Sequence, residues 1–233
     1  MSARAVSDLD RPIWASLASS HAHLGFGDAL ARRYVPEVVP FAAVASETPA
    51  AFQALGALLQ PHEHVGLLCE VEAGELRVPN VTDGGIILQM VAEVAKLVDV
   101  VPDDEDVIAL GDADAPEMLA LAQHAKPGPF DARTHETGRY IGIRDQGRLV
   151  AMAGERMRFD GHVEISSVSV DDAWRGRGLA GRLVRTLGRQ IALRGDTPFL
   201  HVYGDNAGAS ALYKRLGFVV RRSFFVVQVR AVG

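Results

Sequence analysis

The chain has 233 residues, 48% of them hydrophobic and 23% charged, which excludes disorder as the main state and allows one large domain or two small ones. A disulfide scaffold is excluded as well, because Cys69 is the lone cysteine, and a reducing compartment is the expected home. Net charge is −5 but unevenly placed: residues 1–105 hold 6 basic and 15 acidic side chains, residues 106–233 hold 18 and 14. The C-terminal excess is too small for a nucleic-acid binder and suits a small polyanionic ligand.

Residues 1–10 carry acids where an export signal needs an apolar run, and the apolar stretch from Gly85 to Val101 is interrupted by Gln89, Glu93, Lys96 and Asp99. Neither an export signal nor a membrane span is expected, and the protein is read as cytoplasmic. In the first half, Val38–Ala45 and His64–Val71 read as strands, with a helix over Pro49–Leu59 between them. Ile86–Glu93 alternates like a strand, with a helix through Val98 as the alternative. The acidic, proline-opened run Val101–Val107 reads as an inter-domain connection. The expected division is therefore an N-terminal α/β segment, residues 1–105, and a second domain, residues 106–233.

The second half has a stronger rhythm. Val107–Leu110 reads as a strand and Ala115–Ala125 as a helix stopped by Pro127-Gly128-Pro129. Arg139–Arg144 and Arg148–Ala153, the latter running on towards Met157, form a hairpin about Asp145-Gln146-Gly147. His162–Val170 is a strand with unusually polar residues, among them Glu164, Ser166, Ser167 and Ser169. Leu179, Leu183, Leu187 and Ile191 recur every four residues in a helix over Gly176–Arg194. Pro198–Tyr203, Asn206–Leu216 and Phe218–Val229 follow as strand, helix and strand. The strand–helix–strand order of the first half echoes the end of the second, a degenerate internal duplication in outline.

The segment Glu164 to Arg182 carries the chemistry. A strand leads through Arg175-Gly176-Arg177-Gly178-Leu179-Ala180-Gly181 into a helix, and helix N-termini present unpaired N–H groups and partial positive charge to a phosphate. Gly176 to Gly181 also matches the dinucleotide fingerprint G-x-G-x-x-G. That reading is disfavoured, because Asp171 to Arg175 separates strand from glycine and few residues follow for a doubly wound sheet.

Arg175-x-x-Gly178-x-Ala180 on such a turn resembles the acyl-CoA pyrophosphate loop of the GNAT superfamily of N-acetyltransferases. Asp205 to Phe218, with Asn206, Ala209, Tyr213, Gly217 and Phe218, resembles that superfamily's Asn-x-x-Ala-x-x-x-Tyr-x-x-x-Gly-Phe helix. The likeness covers about residues 106–233. It implies an α/β, or α+β, fold: a mixed, mostly antiparallel sheet flanked by helices, with residues 1–105 as an N-terminal segment in the outline of a degenerate half. It implies transfer of the acetyl group of acetyl-CoA, a co-substrate, to a primary amine, without a metal. The resemblance places the backbone of Val168, Ser169 and Val170 along the pantetheine arm, and the segment from Arg175 and Gly176 through Arg177, Gly178, Leu179 and Ala180 to Gly181 on the pyrophosphate. Asn206 falls on the cofactor arm and Tyr213 near the sulfur as general acid.

For the base, Glu164 lies on the strand where several members carry a catalytic glutamate. His162 or water stand as alternatives, and pairing of Glu164 with Arg156 or Arg158 as the structural reading. One of Arg182, Arg185 and Arg189 is expected to reach the 3′-phosphate. The rival function is a non-catalytic acyl-CoA-binding module. Expected partners are a small-molecule or peptide amine, with neither nucleic acid nor membrane, and a homo-oligomer is compatible with the sequence. His21-Ala22-His23 and His62-Glu63-His64 read as solvent-exposed or loop histidines rather than metal ligands.

Overall fold

The computed structural model describes residues 7–76, 78, 80–98 and 104–231, with the main chain alone at Val98. The N-terminal region contains α1 (Pro12–Ala18), the short strands β1 (Gly25–Gly27), β2 (Ala31–Tyr34) and β3 (Ala42–Val44), then α2 (Pro49–Ala57), β4 (His64–Cys69), β5 (Val81–Ala92) and α3 (Val94–Val98). The rest is β6 (Val107–Leu110), α4 (Ala115–Ala125), β7 (Tyr140–Asp145), β8 (Arg148–Phe159), β9 (His162–Val170), α5 (Leu179–Leu193), β10 (Thr197–Tyr203), α6 (Ala207–Arg215) and β11 (Phe218–Arg230).

Eight strands form one mixed, mostly antiparallel sheet in the order β4-β11-β5-β10-β9-β8-β7-β6, and β1-β2-β3 form a separate small sheet. The division expected at residue 105 does not fall between the sheets. β5 lies between β10 and β11, pairing Phe199 with Val91 on one side and Phe218 with Ala92 on the other. A connection in sequence is thus a seam inside one core, because β5 supplies Met90 to the cluster that also holds Leu183 and Leu200. Residues 7–98 accordingly contribute central strands and a cover, not a second closed half. Of the acidic run read as a linker, residues 101–103 lie outside the described residues, while Asp104 and Asp106 grip Arg182 of α5.

The apolar stripe of α5 behaves as its spacing predicts: Leu183, Leu187 and Ile191 are fully buried and Leu179 nearly so. They pack on one sheet face with Ile165, Val163 and Ala153. The opposite face is partly covered by α1 and the preceding turn, through Leu9, Ile13 and Leu17 with Phe159 and Phe199. Between 86 and 93 the strand alternative holds; the two flanking strands demand hydrogen bonds a helix cannot give.

β9 and β10 run parallel, joined by α5, and pair only from His162↔Thr197 to Glu164↔Phe199. Beyond that row they separate. The cause is visible in β9: Ser166 faces Gly154 and Ser169 faces Met152, so two residues of β9 stand opposite one of β8. Ser167 takes φ 55° to make this bulge, a left-handed conformation uncommon for a non-glycine residue. The bulge bends β9 away from β10 and opens the crevice outside the strand ends, where α/β folds bind ligands.

Candidate active site

The crevice holds a cavity of about 340 Å³. Of the residues expected to hold the cofactor, Val168, Val170, Arg175, Gly176, Gly178, Leu179, Ala180 and Gly181 line it together. Gly176 and Gly178 both take φ 77°, and a Cβ at either would meet nothing within 4 Å, so the glycines serve backbone conformation and close approach rather than internal packing. Gly178 caps α5 without a side-chain hydrogen bond. The first intrahelical bond there is Arg182 N–H to the Gly178 carbonyl at 3.1 Å. The N–H groups of Leu179, Ala180 and Gly181 therefore have no partner within the helix, and all three residues line the cavity.

Three expected residues sit differently. Ser169 is buried, its hydroxyl donating to the Ser167 carbonyl at 3.1 Å. Arg177 folds back, donating to the Ala173 carbonyl at 3.3 Å and lying over Trp174. Asn206 caps α6, its side-chain oxygen accepting the Ala209 N–H at 3.0 Å. None of the three lines the cavity, although the backbone of Ser169 stays in the bulged strand. Arg175 does line it, while paired with Asp172 at 2.8 Å. Trp174, Leu212 and Ala125 complete the wall. Leu212 was legible as the neighbour of Tyr213; Ala125 was not, since its place depends on how α4 packs.

Tyr213 lies half-buried next to Leu212, its ring edge-on to Phe218 at 6.3 Å between centroids. Burial raises its pKa, so the phenol keeps its proton at neutral pH. Its hydroxyl makes no hydrogen bond among the described residues, which leaves it available as a donor.

Glu164 takes a structural position rather than the basic one expected. Both carboxylate oxygens accept from Arg156, at 2.9 and 2.8 Å, and Oε1 also meets His201 Nδ1 at 2.7 Å. Burial alone would raise its pKa, but Arg156 and His201 outweigh burial and hold the carboxyl down at about 2. A carboxylate so stabilised is a poor proton acceptor and has no open side for a substrate. His162 is no substitute. It stacks on Phe159 at the start of β9, about 20 Å of strand from Val168.

His21 also departs from expectation. It is buried, with Nδ1 at 3.0 Å from both the Ser16 and Tyr34 hydroxyls, whereas His23, His62 and His64 are exposed. Among the described residues no group of three or more His, Cys, Asp or Glu is placed to hold a metal ion. No helix there is long and apolar enough to cross a membrane.

Comparison with known proteins agrees with this geometry. The family model of FR47-like protein matches residues 140–226. N-alpha-acetyltransferase RimI of Mycobacterium tuberculosis is 36% identical over 96 residues, 38% of this chain and 58% of that protein, so the match spans little over half its length. The [ribosomal protein bS18]-alanine N-acetyltransferase of Escherichia coli K12 is 27% identical over 128 residues, 51% of this chain and 86% of that protein. A solved GNAT-family structure from Novosphingobium aromaticivorans superposes with TM-score 0.88 at 38% identity, over 98% of this chain and 100% of the other. A GCN5-related N-acetyltransferase from Kribbella flavida shares the fold, with TM-score 0.63 at 21% identity and 94% of each chain covered. Separated parallel strands over a glycine turn, in one mixed sheet, are thus set in a fold that the chain shares with these solved structures. The chain belongs to the GNAT family of N-acetyltransferases.

Proposed function

We propose that the protein transfers the acetyl group of acetyl-CoA to the α-amine at the N-terminus of a polypeptide. One observation carries this: the strand crevice, the unpaired N–H groups of Leu179 to Gly181 and the α6 face bearing Leu212 beside Tyr213 meet at a single cavity. The peptide acceptor rests on the relatives, which are N-terminal and bS18-alanine acetyltransferases by name.

In this reading the helix N-terminus binds the pyrophosphate. The bulge at Ser167 and Val168 frees a backbone N–H to polarise the thioester carbonyl, an oxyanion-hole role. The neutral amine attacks the carbonyl carbon, the carbon–sulfur bond breaks, and Tyr213 gives its hydroxyl proton to the departing thiolate. The amine's own proton goes to water, because Glu164 is committed to Arg156. Thiol release from acetyl-CoA, measured with an alanine-starting hexapeptide and with its N-acetylated form, tests the proposal. Release is expected with the free peptide alone. Binding of acetyl-CoA without release on any free-amine peptide or small amine would instead establish a non-catalytic binding module.

A further inference from the structure

A second pair of parallel strands separates at the β4 edge of the sheet. β3 and β4 are joined by α2, as β9 and β10 are joined by α5. They meet at one bridge, Phe41 with Gly66, where the Gly66 N–H donates to the Pro40 carbonyl at 2.8 Å. A ladder continued from there would join the Glu70 N–H to the Val44 carbonyl. Instead that carbonyl accepts from Arg11 Nη2 at 2.6 Å, and the Glu70 N–H donates to Glu47 Oε1 at 2.9 Å. Leu68 stands between, its N–H and C=O turned away from β11 like the N–H groups of Gly66 and Glu70. Neither group makes a hydrogen bond among the described residues. The strands enclose a cavity of about 340 Å³ here. Leu67 and Cys69, which pack with α2, and Leu68 and Ala43, which pack with α1, all line it. The cavity therefore passes between the strands rather than over one face.

Every step from β4 through β11 and β5 to β10 is antiparallel. β4 thus runs against β10, and this crevice opens at the opposite end of the sheet from the donor cavity. Its chemistry is opposite too. Ser46 to Pro49 contain no glycine, the Thr48 hydroxyl caps α2 by accepting the Ala51 N–H at 3.4 Å, and Pro49 has no N–H to offer. With Glu47 beside it, that helix start is closed to a phosphate. Of the acids in the lining, Asp10 is held by Arg221 and Arg222 and Glu70 by Arg222, whereas Glu47 makes no ion pair among the described residues. Arg11, the cation in the lining, is committed to the Val44 carbonyl and lies over Trp14. Burial and the charge of Glu47 push the Cys69 thiol up to about 12, so it forms apolar wall and not a nucleophile.

We propose that this crevice binds an extended peptide segment bearing a basic side chain, at a site separate from the acetyl donor. One residue of the peptide exchanges two backbone hydrogen bonds with Leu68, adding to the outer edge of β4 as an unpaired strand edge allows. The aliphatic stem of its side chain lies on Trp14 and Ile13, and its ammonium pairs with Glu47. A small amine could make the second contact alone; the open N–H and C=O of Leu68 are what favour a peptide. The protein thereby holds a polypeptide at a point remote from the transfer site.

Calorimetry on the wild-type protein with a Val-Lys-Val tripeptide blocked at both ends tests this. It should bind about tenfold more tightly than the blocked Val-Glu-Val tripeptide at low salt, a preference that narrows as salt screens the pair. Methylating the backbone nitrogen of the lysine removes one bond to Leu68 and should weaken binding about fivefold. Glu47→Gln keeps an acceptor for the Glu70 N–H and should abolish the preference for lysine. Trp14 and Trp174 are the two tryptophans of the chain, so in Trp174→Phe the emission of Trp14 reports this crevice alone and should change on titration. Absence of binding to wild type, or a lysine preference preserved in Glu47→Gln, would overturn the proposal. So would equal affinity for the methylated peptide, or binding that leaves the emission of Trp14 unchanged.

Discussion

Arg156 holds Glu164 by both carboxylate oxygens, at 2.8 and 2.9 Å, with the Glu164 side chain wholly buried. The pair fastens β8 to β9 on the side away from α5, a few residues before the bulge. His201 joins from β10, hydrogen-bonded to Glu164 and facing Gln89, whose amide donates to the Leu9 carbonyl at 2.8 Å. Removing one partner of a buried pair strands the other charge, so Glu164→Gln should destabilise the fold by about 3–5 kcal/mol. In the folded fraction the rise of kcat/KM with pH should persist, following the acceptor amine. Urea unfolding and a pH–rate profile check both halves. A variant as stable as wild type that lost the pH limb would return the base to Glu164.

The buried acids and His21 set how stability depends on pH. Burial lowers the pKa of His21 from 6.5 to about 4. The unfolded chain therefore takes up that proton first. Stability from His21 is full above pH 6.5 and is lost as pH falls through 4, on the order of 3 kcal/mol. Glu164, lowered from 4.5 to about 2, acts in the same direction: its contribution is present above 4.5 and lost as pH falls through 2. Thermal melts should thus decline from pH 6.5 downward in wild type. In His21→Gln the decline should start near pH 4.5 instead; identical curves would show that His21 is not the first group to matter.

Most elements were legible because they are periodic. The stripe Leu183, Leu187, Ile191 marks α5, the turn residues Asp145-Gln146-Gly147 mark the hairpin of β7 and β8, and alternation marks β9. The glycine turn was legible because φ 77° at Gly176 and Gly178 and an open approach require that residue. Two things were not. Sequence order does not reveal that β5 enters the sheet between β10 and β11, since both of its partners lie more than 100 residues further along the chain. The role of Glu164 was equally hidden, because one side chain reads the same as base or ion-pair partner until the fold puts both Arg156 and His201 against it. His21 looked exposed for a related reason: its partners, Ser16 and Tyr34, come from separate elements.

Gly178 tests the donor site without disturbing the core. A Cβ there meets nothing within 4 Å, so Gly178→Asp should fold at a modest cost for its positive φ. Its carboxylate would stand beside the N–H groups of Leu179 to Gly181. Acetyl-CoA binding should weaken by several kcal/mol, about a lost charge-assisted hydrogen bond plus like-charge repulsion. Calorimetry giving equal affinities would place the pyrophosphate elsewhere.

Tyr213 separates chemistry from binding. Its ring packs against Phe218, and Phe in its place keeps that contact, so Tyr213→Phe should match wild type in thermal stability and in affinity for acetyl-CoA. What it loses is a proton donor at the sulfur. The departing thiolate must then draw its proton from water, and kcat should fall roughly 10²–10⁴-fold, the range for loss of a general acid. Because burial raises the pKa of the phenol, the acid form persists through neutral pH, and the wild-type rate should show no decline there from its ionisation. The loss should shrink with an acetyl donor whose leaving group is a more acidic thiol, since that thiolate needs no proton to depart. Single-turnover rates on acetyl-CoA and on such a donor measure the effect directly. An equal loss on both donors would mean that the hydroxyl positions the thioester instead of protonating the thiolate, and no loss on either would leave Tyr213 as packing alone.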